Sequence, residues 1–382
     1  MKKFIIFFLV FFILSNNIVF ANDKENSINV DAQSAILMDY KTGRVLYSKN
    51  ADDPLAMAST TKIMTAIIAI ENGNLEDTVK VSKNATKAPP VKMNLKENEE
   101  IKLKDLLYAL MLQSSNDAAV AIAEHISGSV ETFCDNMTKK AKELGAKDTV
   151  FRTPNGLDSL DHHSTAYDMA VITRYALNNK QFMDIINTKQ VSFKTTMSNY
   201  DIINKNRLLS EYEGANGVKT GYTGKAGHCF VGSATQNDMT LISVVLASGW
   251  GEKGKKQKWV DTKNILNYGF NNFSYESILS QNDCLDTISV IKGEKDNMPL
   301  YYEKDIILPL SKDEKEKISI KLDYIKSLQA PVKKDEKVGV ANIYINDNLI
   351  TQTNILTKED INKKTFSSYI NNIFKNWINI LN

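Results

Sequence analysis

A serine and a lysine stand three residues apart in Ser59-Thr60-Thr61-Lys62, at the start of a strongly apolar segment that is typical of a buried helix. On a helix, residues three apart lie on the same face, so these two side chains can meet. A serine hydroxyl becomes an effective nucleophile only when a neighbouring base takes its proton. Lysine can be that base if burial brings the pKa of its ammonium group down to about 7–8. The spacing therefore predicts an acyl-enzyme mechanism with Ser59 as the nucleophile and Lys62 as its base.

A second triplet, Ser114-Ser115-Asn116, lies in a predicted turn between two helices. From an irregular turn, a hydroxyl and a carboxamide two residues apart can both point into a cleft. Ser114 could pass a proton to the leaving group, and Asn116 could hold a substrate amide. Serine and asparagine are also ordinary helix caps, so a purely structural role is the alternative for this triplet.

A third triplet, Lys219-Thr220-Gly221, opens a predicted strand. Lys219 and Thr220 offer a cation and a hydroxyl to a substrate carboxylate. Gly221 inside a strand indicates that another segment approaches the backbone closely. The backbone N–H groups of Tyr222 and Ser59 could together form an oxyanion hole.

Two of these patterns occur a second time in the chain. Ser289-Val290-Ile291-Lys292 lies in a strand-like run, where residues three apart point to opposite faces and cannot meet. Lys41-Thr42-Gly43 lies in a predicted hairpin turn, and the turn accounts for its glycine. We therefore predict no chemistry at either copy.

The segments around the motifs predict an α/β (α+β) catalytic domain over residues 28–273, with an antiparallel sheet and a helical subdomain. The alternating and periodic patterns predict strands at 34–39, 44–48, 218–233 and 239–248, and helices at 60–71, 103–112, 118–126, 166–177 and 257–268. Residues 276–358 contain short β-like runs between polar turns, which predict a small, separate all-β domain.

Both ends of the chain indicate a location outside the cytoplasm. Lys2 and Lys3 precede a short apolar run that ends in Val19-Phe20-Ala21, which predicts a secretory signal peptide over residues 1–21. Residues 359–382 predict an amphipathic helix that lies in the membrane interface, with a helix packed on the protein itself or on a partner as the alternative. The expected location is the outer face of the cytoplasmic membrane.

The bulk composition excludes several classes of function. The chain has 382 residues, of which 43% are hydrophobic and 24% charged, and its net charge of +2 gives no strong field for nucleic acid. Cys134, Cys229 and Cys284 match neither a disulfide framework nor a zinc site, and we predict that they are small buried apolar residues. The four histidines show no metal-ligand spacing, so we expect neither a metal nor a cofactor.

Taken together and in this order, the three motifs resemble those of the low-molecular-mass penicillin-binding proteins that act as D-alanyl-D-alanine carboxypeptidases. The resemblance extends to Thr153–Asp158, Ser164–Met169 and Ala330–Lys334, and to the C-terminal helix, which anchors members of that family to the membrane. It implies that Ser59 is acylated with Lys62 as base, and that Ser114 and Asn116 line the cleft. It also implies that Lys219 and Thr220 bind the substrate carboxylate, that Gly221 belongs to the same substrate-binding segment, and that Tyr222 stands at the oxyanion hole. It also implies a peptidoglycan stem pentapeptide as substrate and β-lactam antibiotics as covalent inhibitors.

Three other functions remain as alternatives. A β-lactamase of the same fold would need a deacylating water held by an extra glutamate, and no Glu-x-x-Leu-Asn segment occurs between Asn116 and Lys219. A transpeptidase or endopeptidase would use the same acyl-enzyme. A non-catalytic wall-binding protein is expected to have lost Ser59 or Lys62, and both are present.

Overall fold

The computed structural model describes residues 28–366 and residue 370. Its strands are β1 Ser34–Asp39, β2 Val45–Lys49, β3 Thr78–Lys80, β4 Glu100–Lys102, β5 Gln190–Lys194, β6 Asn199–Ile203, β7 Ala215–Thr223, β8 Gly227–Gln236, β9 Met239–Leu246, β10 Ser274–Leu279, β11 Cys284–Ile291, β12 Asn297–Tyr302, β13 Ile306–Leu310, β14 Ile318–Tyr324, β15 Ser327–Gln329, β16 Lys337–Ile345 and β17 Asn348–Thr357. Its helices are α1 Lys62–Asn72, α2 Lys83–Thr86, α3 Leu103–Tyr108, α4 Asn116–Ser127, α5 Val130–Glu143, α6 Ala166–Ala176, α7 Lys180–Asn187, α8 Leu208–Glu211, α9 Gly251–Asn272 and α10 Lys312–Lys315. Within these residues, no helix combines the length and the apolar character that crossing a bilayer requires.

A five-stranded antiparallel sheet, in the order β2-β1-β9-β8-β7, forms the centre of the first domain. Side chains alternate across each strand, so β1 contributes to two cores. Ile36 and Met38 pack with the helical side of the domain, whereas Ala35 and Leu37 pack towards α9. The sheet is therefore covered on both faces, which confirms the predicted α/β fold with an antiparallel sheet.

Helix α1 runs through the middle of the helical subdomain. Every residue from Lys62 to Ile70 is buried, because α4, α5 and α6 surround the helix. This environment explains why its sequence is apolar on all sides rather than along one stripe. The lysine at its first position is consequently removed from water by the fold itself.

Some predicted boundaries were wrong. The segment 218–233 is not one strand, because a turn after Thr223 separates β7 from β8 and Gly227 begins β8 with a φ of +65°. The predicted helix 103–112 changes to a π-helical turn at Ala109–Gln113. Helix α9 begins at Gly251 rather than at residue 257. The prediction missed its first turns because they are rich in lysine and carry no apolar periodicity.

The chain passes from α9 into β10 and then forms the smaller domain. That domain contains a six-stranded sheet in the order β14-β16-β17-β12-β11-β15 and a two-stranded sheet of β10 and β13, which share one apolar core. Cys134 and Cys229 are buried as predicted, but Cys284 is exposed at the start of β11, so the prediction for that cysteine was wrong. Of the second Ser-x-x-Lys copy, residues 289–291 lie on β11 as predicted, but Lys292 lies in the turn that follows, with a φ of +59°. Residues 41–43 lie in the β1–β2 turn, as predicted.

The β1–β2 turn joins the two domains. The Tyr275 hydroxyl donates to Asp39 Oδ1 at 2.6 Å, and the Arg44 guanidinium donates to the Pro309 carbonyl and pairs with Glu314. Asp39 Oδ2 accepts from both the N–H and the hydroxyl of Thr42. The second Lys-Thr-Gly copy is thus part of a structural junction.

The predicted segments at the two ends fall mostly outside the described residues. The signal peptide at 1–21 lies outside them entirely, as do residues 367–369 and 371–382 of the predicted amphipathic helix. Residues 359–363 do not begin that helix. Ile361 is buried in the core of the smaller domain and bridges to Val332, and Lys363 bridges to Gly293.

Candidate active site

Ser59 lies in a 3₁₀ turn, Ala58–Thr61, that leads directly into α1. Its side chain is partly exposed, whereas its neighbours Met57, Ala58 and Thr60 are buried. Ala58 has a φ of +49°, a left-handed conformation that an alanine adopts only when the surroundings impose it. The serine is therefore presented to solvent from a rigid, fully packed turn.

The side-chain nitrogen of Lys62 contacts three oxygen atoms. Its Nζ atom lies 2.9 Å from Ser59 Oγ, 2.8 Å from Asn116 Oδ1 and 2.6 Å from the Asn155 carbonyl oxygen. A neutral lysine has two N–H bonds and one lone pair. With the N–H bonds directed to Asn116 and Asn155, the lone pair faces the Ser59 hydroxyl, as a general base requires.

The surroundings of Lys62 favour its neutral form. Burial lowers the pKa of Lys62 well below its usual value, and the Lys219 charge lowers it further, while Asp117 acts in the opposite direction. The Asp117 carboxylate is itself buried and accepts from the N–H groups of Met93 and Leu95 at 3.1 Å.

The Ser114–Asn116 triplet lies on the turn between the π-helical turn and α4. Asn116 is buried, and its Nδ2 donates to the Pro89 carbonyl at 3.0 Å, so its Oδ1 atom points towards Lys62. Ser114 is partly exposed with a φ of +68°, and its hydroxyl makes no hydrogen bond within residues 28–366. The structure thus joins Asn116 directly to Lys62, and through Lys62 to Ser59, and leaves the Ser114 hydroxyl available on the same turn.

The Asn155 carbonyl is a part of the site that residue types did not reveal. It accepts from Lys62 and lies 3.4 Å from Ser59 Oγ. Gly156, with a φ of +82°, lets the chain press against the 3₁₀ turn, since a Cβ atom there would lie 2.0 Å from the Ala58 oxygen. The available signal was Asn155-Gly156 itself, a common turn pair, but nothing in the sequence tells which carbonyl a turn will present.

Strand β7 forms the other wall of the site. A Cβ atom on Gly221 would lie 3.0 Å from the Ser59 nitrogen and from the Ala58 Cβ, so the close approach predicted for this glycine is that of the nucleophile's own turn. Thr220 is partly exposed and Tyr222 is exposed beside it, with its ring 4.3 Å from the His228 ring.

Lys219 is buried with no carboxylate partner among the described residues. Its Nζ atom donates only to the Thr220 carbonyl, at 2.9 Å. Burial lowers the pKa of Lys219 to about 7, with contributions from the charges of Lys258 and Lys205. Lys258 is also buried, with a pKa lowered to about 8 by burial, and sequence reasoning missed it because α9 is rich in lysine. The positive charge around Lys219 is therefore not balanced by a carboxylate that pairs with it within residues 28–366.

Comparison with known proteins agrees with this arrangement. Residues 20–249 match the family model described as D-alanyl-D-alanine carboxypeptidase, peptidase S11, and residues 273–363 match the C-terminal domain of penicillin-binding protein 5. The D-alanyl-D-alanine carboxypeptidase DacF of Bacillus subtilis is 32% identical over 354 residues, which are 91% of this chain and 90% of DacF. The chain belongs to the D-alanyl-D-alanine carboxypeptidase family. It is accordingly a serine-type hydrolase, as its sequence predicted.

Solved structures extend this relationship to the whole architecture of the carboxypeptidase. Penicillin-binding protein 5 from Haemophilus influenzae superposes with a TM-score of 0.76 at 30% identity, over 88% of this chain and 99% of that one. A mutant of the Streptomyces K15 DD-transpeptidase superposes with a TM-score of 0.60 at 33% identity and covers 64% of this chain. Among the residues that the structure describes, no group of side chains could hold a metal ion.

Proposed function

We propose that this D-alanyl-D-alanine carboxypeptidase removes the terminal D-alanine of peptidoglycan stem pentapeptides through an acyl-enzyme on Ser59. The observation that carries the proposal is the Lys62 Nζ atom, 2.9 Å from Ser59 Oγ and fixed by two further oxygen atoms. Neutral Lys62 takes the Ser59 proton as the hydroxyl oxygen attacks the carbonyl carbon between the two D-alanines. The protonated base then returns that proton, with the Ser114 hydroxyl as the relay, to the leaving amine. Water next hydrolyses the acyl-enzyme with Lys62 again as base.

The terminal carboxylate of the substrate supplies the anionic partner that Lys219 lacks within residues 28–366. Lys219 and Thr220 bind it, and Lys205 and Lys258 add to the positive potential around Lys219. A carboxylate beside Lys219 raises the pKa of that lysine again, so binding keeps the cation protonated. The Ser59 and Tyr222 N–H groups receive the developing oxyanion. Asn116 holds a substrate amide, and Gly221 leaves room for the turn that carries Ser59 to pack against β7.

Transpeptidation is the second candidate, because the chain is 33% identical to the Streptomyces K15 DD-transpeptidase. Both reactions share the acyl-enzyme and differ in the acceptor, which is water or an amine. A pentapeptide assay that measures free D-alanine, run with and without an amine acceptor, separates them. A cross-linked product that dominates when the amine is present would favour transpeptidation, and rapid nitrocefin turnover would favour a β-lactamase.

The cellular location of the enzyme is a second part of the proposal. We infer that residues 1–21 direct export and that the amphipathic segment near the C-terminus holds the enzyme on the outer face of the cytoplasmic membrane. Residues 28–273 then form the catalytic unit, and residues 276–358 form the β-domain that connects it to the anchor. The apolar and polar halves of the tail support this assignment, because they suit a helix in the membrane interface.

Release of D-alanine from a stem pentapeptide tests the catalytic assignment. Ser59→Ala and Lys62→Ala should each abolish release. Ser289→Ala is a matched control, because it removes the exposed serine of the second Ser-x-x-Lys sequence on β11, and it should keep full activity. Normal release by Ser59→Ala would disprove the proposal.

A further inference from the structure

We propose that His162 is a positioning residue that orients and polarises the peptide between Ala58 and Ser59, whose N–H group is the oxyanion donor. The inference rests on the proposed function of Ser59. His162 does not touch the nucleophile. It acts through Thr61, the third residue of the Ser-Thr-Thr-Lys motif.

The hydrogen bonds around the imidazole ring fix every proton in this chain of contacts. The Arg152 N–H donates to His162 Nδ1 at 2.9 Å, so Nδ1 carries no hydrogen. In the neutral ring the hydrogen is then on Nε2, which lies 3.0 Å from Thr61 Oγ1 and donates to it. The Thr61 hydroxyl in turn donates to the Ala58 carbonyl oxygen at 2.8 Å.

The His162 ring is neutral near pH 7, well above its lowered pKa. The residue is only 4% exposed. Burial lowers the pKa of His162 to about 4; Asp158 opposes that effect, while His163, Arg152 and Lys225 add to it. A protonated ring would also lose the bond from the Arg152 N–H. These observations exclude a general acid–base role and leave the donation to Thr61 as its function.

The Ala58 carbonyl matters because it belongs to the same planar unit as the Ser59 N–H. This peptide is trans, so the carbonyl oxygen and the amide hydrogen point in opposite directions, and fixing one fixes the other. Gly156 approaches the Ala58 oxygen and Gly221 approaches the Ser59 nitrogen, so the peptide is held from both sides. A hydrogen bond accepted by the carbonyl also polarises the amide and makes its N–H a stronger donor.

Loss of the His162 contact should therefore slow acylation without weakening binding. The oxyanion forms only in the transition state, so a misdirected donor lowers the acylation rate constant and leaves the non-covalent dissociation constant unchanged. A displacement of a donor by a fraction of an ångström corresponds to about a 10- to 100-fold loss of rate.

Three substitutions separate this role from simple support of the loop. His162→Asn retains an acceptor near the Nδ1 position for the Arg152 N–H but does not reach Thr61. His162→Gln places a carboxamide donor near the Nε2 position, so it can still donate to Thr61. Thr61→Val keeps the shape of the side chain and removes the hydroxyl. His163→Ala is the matched control, because His163 is the adjacent histidine and, within residues 28–366, its ring lies against Asp161 alone.

Stopped-flow acylation by a chromogenic β-lactam gives the rate constant and the dissociation constant separately. His162→Asn and Thr61→Val should each lose rate about 10- to 100-fold, and the double variant should lose no more, since both remove the same interaction. His162→Gln and His163→Ala should remain within about threefold of the wild type. An unchanged rate in Thr61→Val would overturn the inference, and that variant decides the question even if a His162 variant fails to fold. If the wild type itself were not acylated, the proposed function would fail instead.

Discussion

Replacing Lys219 should make the protein more stable while it destroys activity. Lys219 is buried, donates to the Thr220 carbonyl and to no other group in the described part of the chain, and has a pKa lowered from 10.5 to about 7. Below pH 7 the folded state therefore carries a protonated lysine in a place that disfavours it. Because the folded pKa lies below the unfolded one, this penalty is largest at low pH and disappears as the pH rises through the unfolded pKa.

The size of the penalty follows from the two pKa values. At pH 6 both states are mostly protonated, and the penalty is about 5 kcal/mol, since a tenfold change in an equilibrium corresponds to about 1.4 kcal/mol. At pH 9 the folded lysine is neutral and the unfolded one is protonated, and the penalty falls to about 2 kcal/mol. Lys219→Met keeps the apolar stem and loses one hydrogen bond, worth about 1 kcal/mol. We therefore expect the variant to be more stable by about 4 kcal/mol at pH 6 and by about 1 kcal/mol at pH 9.

Urea unfolding at the two pH values measures this difference. Trp250 and Trp259 lie at the start of α9 and within it, and α9 packs on the five-stranded sheet, so their fluorescence follows the unfolding of the first domain. Lys225→Met is the matched control, because Lys225 is exposed on the turn after β7. The stability of this control variant should match that of the wild type at both pH values. The reasoning would be refuted if the Lys219→Met variant were less stable than the wild type at pH 6. It would also be refuted if the gain in the free energy of unfolding were the same at both pH values.

Three further predictions concern the rest of the site and the tail. Gly221→Ala should lower the acylation rate at least about tenfold, because the new Cβ meets the Ser59 nitrogen at 3.0 Å; stopped-flow acylation at wild-type rate would contradict this. Asp117→Asn should move the acid limb of the pH–acylation profile to lower pH, because Asp117 raises the pKa of Lys62, and an unmoved limb would show that the charge has no effect. Ending the chain after Thr365 keeps Ile361 in its core and should release the enzyme from membranes with D-alanine release retained; a shortened enzyme that still sediments with membranes would count against the anchor.

The sequence correctly predicted those secondary-structure elements that residue type and hydrophobic pattern determine. The apolar residues of 60–71 located α1, and the strand-like run at 34–39 located β1 at the bounds that the structure gives, because both segments are buried. The prediction joined β7 and β8 into one strand, because the turn between them interrupts an otherwise continuous pattern only briefly. The polar first turns of α9 were missed for the opposite reason, since a solvated helix end has no apolar pattern.

The same distinction applies to the active site, where residue type reveals some groups and only the fold reveals others. Side chains with recognisable chemistry, such as Ser59, Lys62 and Asn116, were predicted from their motifs and from the order of those motifs, and Lys62 contacts both of the others in the structure. The Asn155 carbonyl could not be found, because every residue has one and only the fold decides where it points. His162 was equally hidden, since the partners that fix its tautomer come from Arg152 and Thr61, which are distant in sequence or unremarkable in type.

Peptide mapping of the β-lactam adduct tests the central claim most directly. Incubation with benzylpenicillin, followed by proteolysis and tandem mass spectrometry, identifies the residue that carries the penicilloyl group. We predict a single adduct on Ser59, formed in the wild type, strongly slowed in Lys62→Ala and absent in Ser59→Ala. An adduct on any other serine, Ser114 and Ser289 included, or an undiminished rate in Lys62→Ala, would contradict the account.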